Sequence, residues 1–104
     1  MEFFPVVQGF EWDDANREKN WKTHRVAWGE CEEVFFNFPL YVLPDIRHSV
    51  REHRYFAFGR TNMDRLLLIV FTIRTRRIRV VSARDMNKRE RKFYHEKAEE
   101  DSQV

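Results

Sequence analysis

Two apolar periods divide this chain. Over residues 27–37, Trp28, Cys31, Val34 and Phe35 recur at i, i+3, i+6 and i+7, a single stripe at helical spacing. The stretch before it, EWDDANREKNWKTH (11–24), also reads as a helix, with Asp13 as its N-cap and Asp14 in the first turn. Its main apolar residues are Ala15 and Trp21, so it is expected to lie largely exposed. From Pro39 onwards the period falls to two. LYVLPD (40–45) is a short strand ended by Pro44, and RYFAFGR (54–60), RLLLIVFTIR (65–74) and RIRVVSAR (77–84) are three more. DIRHSVRE (45–52) is a polar loop and TNMD (61–64) a turn. NKRERKFYHEKAEE (87–100) closes the chain as a helix, with Asn87 and Glu90 as a capping pair. The acidic end is expected to fray beyond about residue 97. Short connections require antiparallel neighbours. The expectation is one α+β domain over residues 1–104: two N-terminal helices, an antiparallel sheet of about four strands and a C-terminal helix, arranged in two layers.

The last two strands contain RTRRIRVVSAR (74–84), in which five of eleven residues are arginine. Arginine is seldom fully buried. A two-residue hairpin tip at Thr75 and Arg76 resolves the conflict. Ile73 then faces Ile78 and Phe71 faces Val80 on one side, while Arg74 faces Arg77 and Thr72 faces Arg79 on the other. One face is core and the other cationic. Like charges directly opposite one another destabilise a sheet, so the cluster needs either Glu or Asp from the helices or an anionic ligand. Arginine grips phosphate through two parallel hydrogen bonds. With TNMD as a four-residue loop, Arg60 would face Arg65, Tyr55 would face Val70 and His53 would lie near Thr72. His53 and Tyr55 would then share the arginine face, where an aromatic ring can stack on a splayed RNA base.

Charge sharpens this picture. The net charge is only +2, but residues 60–92 carry 11 Lys/Arg against 3 Asp/Glu. One concentrated basic block is the footprint of a polyanionic partner, though basic surfaces also occur without one. Cys31 is the only cysteine, so no internal disulfide forms, which suits a reducing compartment. The start lacks the pattern of a signal peptide. The longest apolar run, LLLIVF (66–71), is too short to cross a bilayer. The expectation is a cytoplasmic protein without membrane attachment. There is no HExxH, cysteine pair or clustered aspartate motif to hold a metal, and no glycine-rich phosphate loop, so no cofactor is expected.

Several motifs fall in a specific order: FEWD (10–13), NWKTH (20–24), PDIRHS (44–49), FGR (58–60), TIR (72–74), IRVVSAR (78–84) and KRERKFY (88–94). Together, over about residues 9–95, they resemble the BrnT family, toxins of type II toxin–antitoxin systems. The resemblance implies a fold similar to the RelE-like ribonuclease toxins, RNA as substrate and growth arrest as outcome. It also implies a BrnA-like ribbon-helix-helix antitoxin as partner, with operator DNA met only through that antitoxin. Carried over, the catalytic residues would be His24, Arg60, Arg74, Arg79 and Arg84. Lys22, Arg77, His53 and Tyr55 would contact RNA. The chain departs from the family pattern in three places. Lys22 stands one position early relative to His24, Arg25 follows where a glycine is usual, and Phe71 and Ile73 replace polar residues of the hairpin. Any acid–base role tied to positions 71 and 73 is therefore absent.

Metal-independent RNA cleavage needs a base for the 2′-hydroxyl, positive charge for the phosphorane and an acid for the leaving 5′-oxygen. Arginines supply the second but are too basic for the first. The candidate proton carriers are His24, His48, His53 and His95, with Lys22 and Glu52 behind them. The resemblance favours His24. His48, in the polar loop after Pro44 and Asp45, reads as structural. A different class of function stays open: a non-catalytic member that only binds its antitoxin or nucleic acid through the basic hairpin.

Overall fold

The computed structural model describes residues 7–102. The elements are α1 (Asp14–His24), α2 (Trp28–Val34), β1 (Tyr41–Pro44), a single 3-10 turn (Ile46–His48), β2 (Arg54–Arg60), β3 (Leu66–Arg74), β4 (Arg77–Asp85) and α3 (Lys88–Ser102). The strands form one antiparallel sheet in the order β1-β2-β3-β4, so the fold is α+β. α3 runs on to Ser102, through the acidic residues where the sequence suggests fraying, and Tyr41 donates a hydrogen bond to Asp101 at 2.9 Å.

The first face of the sheet is the main core. Ala57, Leu67, Ile69, Phe71, Ile78, Val80 and Ala83 bury there against Val26, Cys31 and Val34 from the α1–α2 region. α2 is shorter than the sequence suggests, but Cys31 and Val34 are fully buried as its stripe requires. The second face carries a smaller cluster of Phe58, Leu68, Met86 and Tyr94, supplied partly by α3. That cluster lies at the end of the sheet where Arg60 pairs with Leu66. The second face therefore has an α3-covered end and a hairpin-tip end, and the tip end carries the arginines.

The hairpin register is the one derived from a two-residue tip: Arg74 opposite Arg77, Ile73 opposite Ile78, Thr72 opposite Arg79 and Phe71 opposite Val80. Thr75 and Arg76 both adopt positive φ, 51° and 63°, which neither residue favours. Past Val80 a bulge leaves Val81 without a partner, so that Ser82 pairs with Val70 and Ala83 with Ile69. The β2–β3 register differs by one from expectation. Arg60 pairs with Leu66, Tyr55 with Phe71 and Arg54 with Thr72. The connection has five residues, not four: the Thr61 N–H donates to the Arg65 carbonyl at 2.9 Å, and Asp64 turns the chain at φ 64°. A shift of one exchanges the faces. Tyr55 therefore stacks on Phe71 in the core, with ring centroids 5.4 Å apart, and Arg54 takes the place beside Thr72 expected for His53.

α1 is as exposed as its composition suggests, and Trp21 remains 49% accessible. The helix is anchored by hydrogen bonds to the bulged edge strand. Asn16 Nδ2 donates to the Val80 carbonyl at 2.7 Å, Lys19 Nζ to the Val81 carbonyl at 2.9 Å, and Asn20 Oδ1 accepts from the Ala83 N–H at 3.0 Å. These bonds satisfy strand groups that an edge leaves open. Asp13 caps the helix as expected, accepting from the Asn16 N–H at 2.7 Å.

The helix ends on Arg25 at φ 56°, and the Arg25 N–H bonds the Asn20 and Trp21 carbonyls. This is a left-handed C-cap, which glycine adopts without penalty. Arg25→Gly is expected to raise stability by about 1 kcal/mol, offset in part by the lost stacking of Arg25 on Trp21. Urea denaturation of the two proteins measures the difference.

Candidate active site

On the tip end of the second face, Arg54, Thr72 and Arg79 form one row across β2, β3 and β4, and Arg74 and Arg77 form the next. Rows of a sheet bring such side chains within about 5 Å of their neighbours. The segment between β1 and β2 adds a wall, closing a cleft of about 460 Å³ lined by His48, Val50, Arg51, Glu52, Arg54 and Arg74.

That wall is a built turn. The Asp45 N–H donates to the Arg54 carbonyl at 2.8 Å, which ties the start of the turn to β2. Ser49 Oγ donates to the Asp45 carbonyl at 2.6 Å and accepts from the Arg54 N–H at 3.0 Å. The Asp45 side chain is buried and lies 3.0 Å from His48 Nδ1. An ionised carboxylate only accepts hydrogen bonds, so Nδ1 carries the hydrogen and Nε2 is left to take or give a proton. The His48 side chain is itself 59% exposed, so that proton can be exchanged.

The arginines face carboxylates, mostly from outside the helices. Glu52 holds Arg74 in a two-pronged bond, with Nη2 at 2.9 Å and Nε at 3.1 Å. Glu11 and Asp13 hold Arg79 at 3.0 and 2.9 Å. Glu90 of α3 holds Arg84 at 2.7 and 2.9 Å, and Asp64 holds Arg60 at 2.8 Å. Arg51, Arg54 and Arg77 have no ion pair among the described residues. The Arg74 guanidinium keeps the Glu52 carboxyl below its ordinary range. The Asn16 N–H and then Arg79 do the same for Asp13. Arg84 does it for Glu90, and Arg65 for Asp85. Among the described residues the buried Thr72 hydroxyl meets no hydrogen-bond partner, yet it lies near enough to Glu52 to help hold its charge.

Of the residues singled out from the sequence, Arg74, Arg77 and Arg79 come together at the tip end. Arg60 and Arg84 lie at the opposite end of the sheet, where Arg60 pairs with Leu66 and Arg84 with Leu68. Eight steps along β3 separate Leu66 from Arg74, about 26 Å at 3.3 Å per residue. His24 and Lys22 are exposed at the C-terminal end of α1. The His24 carbonyl accepts from Arg65, which precedes β3, so these two also belong to the far end. His53 is exposed ahead of β2, and Tyr55 is in the core packing. The structure thus divides the expected constellation between two ends of the sheet. His48, a candidate proton carrier that the sequence left as structural, lines the tip-end cleft beside Asp45, in the pattern Asp45-x-x-His48. Among the described residues no three His, Cys, Asp or Glu side chains gather where they could hold a metal ion. Burial pushes the Cys31 thiol up to about 12, so it is an inert core residue.

The fold and this face define a small α+β protein with an arginine-rich face at one end of its sheet. Residues 12–90 match the family model described as the ribonuclease toxin BrnT of type II toxin–antitoxin systems, and the chain belongs to that family. Membership makes it a ribonuclease toxin with an antitoxin partner. Comparison with the curated proteins gives no match. No helix among the described residues is long and apolar enough to cross a membrane.

The lowered carboxyl groups make stability depend on acid. Glu52, Asp85 and Glu90 bind protons more readily in the unfolded chain than in the folded one. Their contribution is complete above the unfolded values of about 4 and is lost as pH falls through the lower folded values. Thermal melts are expected to hold a steady midpoint from pH 7 to about 5 and to drop below about pH 4. Arg65→Met should fall less steeply, because Asp85 then titrates nearly as it does when unfolded.

Proposed function

We propose that the chain is a metal-independent endoribonuclease of the cytoplasm, working at the hairpin-tip cleft, and that its activity arrests growth until a BrnA-like ribbon-helix-helix antitoxin neutralises it. Operator DNA would be met only through that antitoxin. The observation that carries the reading is a histidine fixed by a buried carboxylate, His48 on Asp45, in one cleft with Arg51, Arg54 and Arg74. Arg54, Arg74, Arg77 and Arg79 grip the phosphate and stabilise charge on the phosphorane. His48 Nε2 exchanges a proton with the reacting oxygens, while Asp45 holds the ring in place from 3.0 Å. Phe71 lies on the helix-covered face, so its departure from the family pattern alters the core, not the arginine row.

One observation supports the non-catalytic alternative: Arg74 and Arg79 are already neutralised by carboxylates of the same chain. The purified chain, free of antitoxin, is therefore tested on single-stranded RNA in EDTA. Cleavage to ends bearing a 2′,3′-cyclic phosphate is expected. His48→Ala should lower the rate by about 10²–10⁴-fold while the chain stays folded, with a melting midpoint lowered by the unpaired Asp45 carboxylate, and should abolish growth arrest on induction. Arg84→Ala, at the far end, should cleave near the wild-type rate. The reverse pattern would move the site to the His24 end. RNA binding without cleavage by the wild-type chain would establish the binder.

A further inference from the structure

Cleavage of RNA by its own 2′-hydroxyl needs two proton carriers, and His48 is one. We infer that Glu52 is the other: the base that takes the 2′-hydroxyl proton, stored on Arg74 until a phosphate displaces it. The inference rests on the proposed cleft and assigns the half of its chemistry that His48 leaves open.

The lining of the cleft narrows the choice. His48, Val50, Arg51, Glu52, Arg54 and Arg74 surround it, and Glu52 is the one carboxylate among them. It is also the nearest possible stand-in for substrate. Its two oxygens take Nε and Nη2 of Arg74, the same edge of a guanidinium that two phosphate oxygens would take. Phosphate and Glu52 thus compete for one site. The groups facing Glu52 are Arg74 and Thr72 from β3 and Arg54 from β2. Arg74 is the largest influence holding its proton affinity down. A phosphate that captures Arg74 removes that influence, and it adds negative charge beside the released carboxylate, which makes the carboxylate more basic. Substrate binding would therefore create the base at the place and moment it is needed. The Glu52 side chain is 33% exposed and sits on the irregular segment just before β2, so it has room to swing from one role to the other.

The step balances without any further reactant. The Glu52 carboxylate takes the 2′-hydroxyl proton as the 2′-oxygen bonds to phosphorus. The bond from phosphorus to the 5′-oxygen breaks, and the His48 imidazolium gives that oxygen its Nε2 proton. The products are a 2′,3′-cyclic phosphate and a 5′-hydroxyl, with Glu52 protonated and His48 neutral. Solvent resets both. The active form has Glu52 ionised and His48 protonated, so the rate should rise and then fall with pH.

The test uses the full-length chain in EDTA and a short single-stranded oligoribonucleotide carrying a fluorophore and a quencher, from pH 4 to 9. Binding is read in parallel with the same oligonucleotide bearing 2′-deoxyribose, which cannot react. Wild type should give a bell-shaped profile. Glu52→Gln should bind the deoxy probe as tightly as wild type or more tightly, cleave about 10²–10⁴-fold more slowly, and lose the acid limb of the profile. Glu52→Asp should keep the acid limb at a reduced rate, which separates loss of the base from loss of the fold. Wild-type or faster cleavage by Glu52→Gln with the acid limb intact would overturn the inference and leave Glu52 as a counter-charge for Arg74. If wild type itself binds but does not cleave, the ribonuclease reading of the cleft fails and this inference fails with it.

Discussion

The Arg65 guanidinium ties together the parts of this fold that hydrophobic packing does not. It bonds Asp85 at the end of β4 at 2.7 and 3.1 Å, Glu30 of α2 at 3.0 Å, and the last carbonyls of α1, Arg25 at 2.8 Å and His24 at 3.3 Å. Both N-terminal helices need such a tie. α1 buries only Asn20, and α2 is a seven-residue helix. With its side chain 27% exposed, Arg65 is shielded enough for these bonds to exceed an ordinary surface pair, and it can saturate five donors in fixed directions. Glu30 is shared, since it also accepts from the Ala27 N–H at the start of α2. Removing the guanidinium would free two carboxylates and two helix-end carbonyls at once.

Once α1 and α2 are held on the first face, the second face is left to α3 and to charge. α3 is fixed by the reciprocal Asn87–Glu90 cap, by Tyr94 donating to the Pro39 carbonyl at 2.6 Å, and by Arg84 gripping Glu90. All three lie toward the Arg60 end of the sheet. At the tip end, the pairing of Arg74 with Arg77 would repel in the absence of counter-charge. The irregular segments supply that charge: Glu52 from before β2, and Glu11 and Asp13 from before α1. A parallel bridge between Phe10 and Ile78 brings the latter pair alongside β4. Packing therefore stabilises one end of the face, and counter-charge the other.

What was readable in the sequence followed from rigid geometry. A two-residue hairpin admits one register, so the split of 71–80 into a core row and an arginine row came from counting alone. The Asn87–Glu90 cap and the Asp13 cap are local motifs with few competing arrangements. The β2 register was not readable, because four- and five-residue turns have similar sequences, and one extra residue sent Tyr55 into the core and Arg54 to Thr72. Nor was the division of the site readable. Arg74, Arg79 and Arg84 look contiguous in sequence, but β4 spreads them along the sheet and its bulge at Val81 interrupts the row. His48 was named as a proton carrier but read as structural, because the burial of its partner Asp45 becomes visible only once the turn is folded against β2. Arg65 was read as the first residue of a strand, facing Arg60, since its partners are 20 to 41 residues away along the chain.

On the proposed function, the counter-charges would give the cleft a selectivity that a bare cationic patch lacks. A surface of unpaired arginines attracts any polyanion through long-range charge, and salt screens that attraction. Here Arg74 and Arg79 are already occupied by carboxylates at hydrogen-bond distance. A ligand gains from them only by offering a better match to the guanidinium fork than the resident carboxylate does, and a phosphate diester held in register by Arg54 and Arg77 offers that match. Acidic protein surfaces present the same chemical group as Glu52 and Asp13 and exchange like for like. On the proposed function, the ion pairs that stabilise the tip end of the sheet would thus also decide which anion opens it.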